Sequence, residues 1–167
     1  MISSWRDVGR PFRLLARWAT IIQIVGYTTS LVFVWHTTRL VPAGVASRYR
    51  GAPADAADST ATAAMQFPKS FGEMLTITHT HLLSMAVIFV ITGIGLALCT
   101  RPSERWRRFL IVEPFVALLV SFSAMWLMRY AHPAFGWVLE ASSGLLAVTF
   151  YTQSFLILRE LSSIESA

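Results

Sequence analysis

Residues 71–99 read FGEMLTITHTHLLSMAVIFVITGIGLALC, and this stretch decides the fold. Its apolar run exceeds the ~20 residues that an α-helix needs to cross a hydrocarbon core. It opens on Ser70-Phe71-Gly72-Glu73, an S-x-x-E capping box, with Pro68 just before it. Three further blocks of the same kind lie at about residues 16–41, 104–130 and 133–159. Pro102 and Ser103 precede the third helix, and Pro133 is a favoured first residue for the fourth. The reading is all-α: a single membrane domain over residues 1–167, built as a four-helix up-and-down transmembrane bundle.

Composition agrees. The chain is 54% hydrophobic and only 14% charged, against ~25% charged in soluble domains. The net charge of +5 would suggest nucleic acid in a soluble protein. Here the arginines cluster at the ends of apolar blocks, so membrane topology accounts for them and no nucleic acid is expected. A single cysteine, Cys99, excludes an internal disulfide, a CxxC site and covalent haem c attachment. Arg6, Arg10, Arg13 and Arg17 precede an apolar run as in a signal peptide. The run from Trp18 to Trp35 is longer than the ~7–15 residues of such a peptide, so it reads as a spanning helix.

Basic residues orient the bundle. Arg6, Arg10, Arg13, Arg17, Arg101, Arg105, Arg107, Arg108 and Arg159 fall on one side, nine of the 14 Lys and Arg residues. Arg39, Arg48, Arg50, Lys69 and Arg129 fall on the other. The positive-inside rule puts the first set, and both termini, in the cytoplasm. Trp18, Trp35, Trp106 and Trp137 lie near helix ends, as interfacial anchors do. Two links, at about residues 100–103 and 131–132, are short and force antiparallel neighbours. The outer connection, about residues 42–69, is rich in Ala, Gly, Asp, Ser and Thr and reads as a mobile loop or a surface that orders on a partner.

All four histidines, His36, His79, His81 and His132, fall toward the outer face. His36 lies 19 residues from Arg17, His81 lies 20 from Arg101, Glu140 lies 19 from Arg159 and Arg129 lies 21 from Arg108. At ~1.5 Å per residue all four sit ~29–32 Å from the inner arginines. Ionisable groups within spans usually face the bundle interior or a partner. Helical spacing puts His81 on a small, polar stripe with Thr78, Ser84, Met85, Thr92 and Gly95, while His79 shares a stripe with Leu83, Ala86 and Val90. Helix 1 carries Gly26, Thr29, Ser30 and His36, and helix 4 carries Gly136, Glu140, Ser143, Gly144 and Ala147. The expectation is one interior cluster of His36, His81 and Glu140.

Three readings of that cluster stay open. His36 and His81 could be the axial ligands of a b-type haem whose propionates point outward toward Arg129, Arg39 or the interface. His36, His81, Glu140 and His132 could hold a transition metal ion. The same groups could instead hydrogen-bond to hold the bundle together. Glu113, followed by Pro114 near the inner interface, reads as a snorkelling or Arg-paired carboxylate beside a kink, or else as a proton inlet or quinone contact. Met85, Met125 and Met128 read as packing rather than soft-metal ligands. No nucleophile–base pair and no metalloprotease motif stands out, so activity as an enzyme alone is not expected.

The run Met65-Gln66-Phe67-Pro68-Lys69-Ser70, followed by Thr78-His79-Thr80-His81-Leu82, carries a resemblance. It resembles a poorly characterised group of small bacterial four-helix membrane proteins with a T-H-x-H-L motif opening the second helix. Trp126, Arg129-Tyr130 and Pro133 extend the likeness into the second hairpin. The resemblance implies a multi-pass protein of the bacterial inner membrane and carries no activity or ligand set. The function expected is an accessory or b-haem-bearing subunit of an electron-transfer complex, in contact with lipid and with other membrane subunits or a second copy of itself. The alternatives are a purely structural membrane subunit or a small metal-binding membrane protein. A transporter fits poorly, since broken helices and an inverted repeat are both missing.

The charge bias makes a direct prediction. Reporter fusions at the C-terminus should report cytoplasm and fusions near residue 55 should report the opposite side. An external C-terminus would overturn the orientation.

Overall fold

The computed structural model describes residues 3–51 and 67–166. A 3₁₀ turn, Trp5–Asp7, is followed by α1 (Arg10–Thr38), α2 (Pro42–Arg50), α3 (Phe71–Ala97), α4 (Glu104–Tyr130) and α5 (Phe135–Glu165). No strand occurs among the described residues. α1, α3, α4 and α5 are each long and apolar enough to cross a membrane. The protein is a four-helix transmembrane bundle with one additional short helix, α2.

α4 and α5 form the most extensive helix pair, and α3 packs on both. α1 is peripheral. Only Thr20, Tyr27 and Thr38 of it are buried, and it leans mainly on α5. The contacts are specific: Tyr27 stacks on Phe150 with ring centroids 4.3 Å apart, and Thr28 shares a 2.7 Å hydrogen bond with Tyr151. The large side chains on its other faces, Leu15, Ile22 and Phe33 among them, are exposed, as a lipid-facing helix requires.

Each end of the bundle is tied by hydrogen bonds. At the inner end the Trp5 indole donates to Gly95 O at 2.9 Å, and Trp5 N–H donates to Leu98 O at 3.1 Å. Glu160 is buried and accepts from the backbone N–H and the hydroxyl of Thr100, while Arg101 Nε stands 3.5 Å from its other oxygen. Arg17 pairs with Glu165 at 2.6 Å. At the outer end Arg50 donates to Met128 O at 2.8 Å, and Lys69 N–H donates to Tyr49 O at 2.9 Å. Arg129 Nε donates to Lys69 O at 2.8 Å.

The capping box forms as the sequence predicts: Ser70 Oγ accepts from Glu73 N–H, and the Glu73 carboxylate accepts from Ser70 N–H at 2.8 Å. A second capping box, at Ser4 and Asp7, opens the 3₁₀ turn. There the backbone N–H and hydroxyl of Ser3, then the N–H of Ser4, hold the Asp7 carboxyl below the ordinary carboxylate range.

Several expected boundaries move. α1 begins at Arg10 rather than residue 16, with Pro11 in its first turn, and ends at Thr38 rather than 41. It stops because Arg39 and Leu40 both adopt positive φ, 58° and 53°. Residues 42–50, expected within the outer loop, form α2, which folds back onto α4 and α5 and buries Val45. α3 ends at Ala97, not 99. Pro133 lies in the turn before α5, which starts at Phe135 and continues past Arg159 to Glu165. Arg159 looked like an end because it is basic. Glu160, one residue on, is buried and hydrogen-bonded, so the helix carries on. Of residues 51–70, numbers 52–66 lie outside the described residues, and with them most of the loop reading and Met65-Gln66 of the motif.

The elbow between α1 and α2 depends on Gly44. A Cβ there would stand 2.1 Å from Thr38 O, a backbone atom that cannot rotate away. Gly44→Ala should therefore cost roughly 1–3 kcal/mol, the usual range for forced overpacking. Gly26 of α1 has nothing within 4 Å of its would-be Cβ, so Gly26→Ala should be neutral or slightly stabilising. Thermal unfolding in detergent checks both, and equal melting temperatures would refute the elbow argument.

Candidate functional site

The outer histidines do not enter the bundle. His36 on α1, His79 and His81 on α3 and His132 in the α4–α5 link are all exposed. The expected interior cluster of His36, His81 and Glu140 is corrected accordingly. The space at that level is filled by α2 and its neighbours: Val45, Met74 and Met128 are buried there, and a Cβ on Gly136 would lie 3.3 Å from Pro42 O. α1 and α3 barely touch, which leaves Thr29, Ser30 and His36 on one helix and Thr80, His81 and Ser84 on the other uncovered. The His81 stripe is interior only in its lower part, at Thr92 and Gly95.

Hydrogen bonding separates the histidines chemically. His81 Nδ1 lies 3.0 Å from Ile77 O. A carbonyl only accepts, so Nδ1 is the donor; a neutral ring in this tautomer has its lone pair on Nε2, the arrangement found in metal-ligating histidines. His132 is the reverse: its Nδ1 accepts from Ala134 N–H at 3.2 Å, so it acts as a local cap at the start of α5. Arg129 has Nε engaged by Lys69 O and lies over the Tyr130 ring at 4.8 Å. Glu140 is half-buried, and its Oε1 is buried without a hydrogen-bond partner. Among the described residues no group of three or more His, Cys, Asp and Glu side chains is placed to hold a metal ion. The set His36, His81, Glu140 and His132 is thus not gathered as four metal ligands.

A second polar site lies inside the bundle, between α4 and α5. Pro114 has no N–H, so within α4 the carbonyl four residues earlier, Leu110 O, loses its partner. Gln153 of α5 supplies one: its Nε2 donates to Leu110 O, and the side chain is 0% exposed. Glu113 is 7% exposed, and neither carboxylate oxygen has a hydrogen-bond partner. It makes no ion pair among the described residues, so the Arg-paired reading is corrected. Gln153 Oε1 and Ser154 Oγ are likewise buried and unpartnered. Eleven residues on in α4 and eleven residues back in the antiparallel α5, Ser121 donates to Ser142 at 2.7 Å. Eleven residues make three helical turns, so both bonds lie on the same seam.

Sequence reading missed Gln153, Ser121 and Ser142. A signal for Gln153 existed: a proline inside a span frees a carbonyl, and that carbonyl needs a donor from a neighbouring helix.

Four lipid-crossing helices with polar seams define a multi-pass α-helical membrane protein. The chain belongs to a family described as a transmembrane helical domain, whose model matches residues 39–166. That span holds α2 to α5 and leaves α1 outside. No curated protein and no solved structure matches.

The kink bond makes a coupled prediction. Gln153→Leu should cost roughly 1–3 kcal/mol, because Leu110 O is left buried and unpaired. In a Pro114→Ala background the helix regains an N–H for that carbonyl, and the same substitution should cost clearly less. A double-mutant cycle on unfolding in detergent checks this, and additive effects would contradict it.

Proposed function

We propose that this protein is an accessory subunit of an electron-transfer complex in the bacterial inner membrane, acting by lateral association rather than as an enzyme alone. The observation that carries the association is an exposed face on the outer half of α3, where Thr76, His79 and Thr80 stand uncovered. Imidazoles facing acyl chains are costly, and residues of this kind in spans normally meet protein or water. Leu83 and Val90, 57% and 47% exposed, continue the face with an apolar surface that another helix would cover. The partner is another membrane subunit or a second copy of this chain. The inner-membrane assignment rests on the likeness to small bacterial membrane proteins and on the arginine distribution.

A b-type haem is the finer reading. Its support is that His81 engages a backbone carbonyl through Nδ1, and that His81 and His36 are both exposed on helices that scarcely touch. His36 and His81 would hold such a haem, which would supply one-electron transfer when bound. Without haem the same face serves a purely structural subunit.

Two measurements test these readings. A photo-crosslinking residue at position 83 in native membranes should give a protein adduct, whereas one at position 22 on α1 should give lipid adducts. Lipid adducts alone at both positions would contradict the association. Purified protein should show a reduced-minus-oxidised haem band that His81→Ala abolishes and His79→Ala retains. A flat spectrum from protein purified with its crosslinked partner would remove the haem and leave the structural subunit.

A further inference from the structure

Toward the inner end, residues of α4, α5 and the link before α4 line an open groove of about 480 Å³, within the size range of ligand-binding clefts. Its walls are apolar, with Trp106 and Phe109 on α4 and Val148 and Leu156 on α5, and its mouth is formed by Arg101 and Ser103. Trp106 and Val148 are 63% and 64% exposed, so the groove opens sideways into the region that lipid occupies.

Charge at the mouth selects the occupant. Arg101 meets Glu160 only through Nε, at 3.5 Å, and its terminal guanidinium nitrogens make no hydrogen bond or ion pair among the described residues. Glu104, the nearest acid in sequence, is bonded to Arg107 and Arg108. Ser103 makes no side-chain capping bond, which leaves its hydroxyl for a ligand. The mouth is therefore cationic and the walls are apolar. We infer that the α4–α5 groove binds one anionic phospholipid, with an acyl chain along Trp106 and Val148 and the phosphate at Arg101 and Ser103. Basic pockets between transmembrane helices recognise anionic headgroups in this way. This inference is independent of any partner or haem.

Trp106 provides the readout. The protein is reconstituted in vesicles containing equal amounts of phosphatidylglycerol and phosphatidylcholine, with one or the other brominated. The quenching assigned to Trp106 is the part lost in Trp106→Phe. Brominated phosphatidylglycerol should quench that part with an apparent affinity roughly fivefold above brominated phosphatidylcholine, as one basic contact provides. Arg101→Gln should remove the preference. Because Arg101 also faces Glu160, Ser103→Asp is the second variant: aspartate is well tolerated at the position before a helix, and it places a negative charge at the mouth. It too should remove the preference. Val148→Trp should fill the groove and weaken quenching by both lipids. Equal quenching by the two lipids in the unaltered protein, or a preference that survives both charge variants, would overturn the inference.

Discussion

In lipid no backbone polar group can turn to water, and the Leu110 carbonyl is where that constraint bears hardest on this chain. Pro114 removes its helical partner, and Gln153 from the next helix replaces it. That side-chain bond ties α4 to α5 at one point of their seam. The Ser121–Ser142 bond, three turns away on the same seam, ties them at a second. Phe150, Leu146, Ala117 and Leu118 fill the space between the two polar points. The other helices are added to this hairpin. α3 packs on both of its members, and α1 rests on α5 through Tyr27 and Thr28.

The two ends of the bundle solve the same problem by different means. The inner end uses Trp5 as a plug, its indole N–H on Gly95 O and its ring within the cluster of Leu96, Cys99, Leu110, Ile157 and Leu161. The outer end uses α2, which returns over α4 and α5 and donates from Arg50 to the last carbonyls of α4. Because α2 occupies the outer core, the polar residues of α1 and α3 at that level remain on the surface. The interior at that level is closed, and polar groups of α1 and α3 stand on the outer flank.

Much of the fold was legible in the sequence. Span-length apolar blocks gave α1, α3, α4 and α5, and Ser70 to Glu73 gave the start of α3 to the residue. α2 was not legible, because its sequence, PAGVASRYR, is short and weakly apolar, and its helicity comes from packing Val45 against the bundle. The histidine depths could be counted from the arginines, but depth does not give facing. Facing depends on which helices touch, and α1 and α3 scarcely do. The extension of α5 past Arg159 was hidden for a similar reason: an acid following a basic helix end reads as surface, and only the bonds from Thr100 place Glu160 inside.

The account stands on the Gln153–Leu110 contact more than on any other. Solid-state NMR in lipid bilayers can observe it without altering it, by recoupling side-chain amide ¹⁵N of glutamine to backbone ¹³C′ of leucine. A hydrogen bond places these nuclei roughly 3.5–4 Å apart. The account predicts strong dephasing of the Gln153 amide signal, identified by its loss in Gln153→Leu, and its weakening when leucine 110 alone is replaced by an unlabelled residue. A Gln153 amide that shows no leucine carbonyl within that range would contradict it.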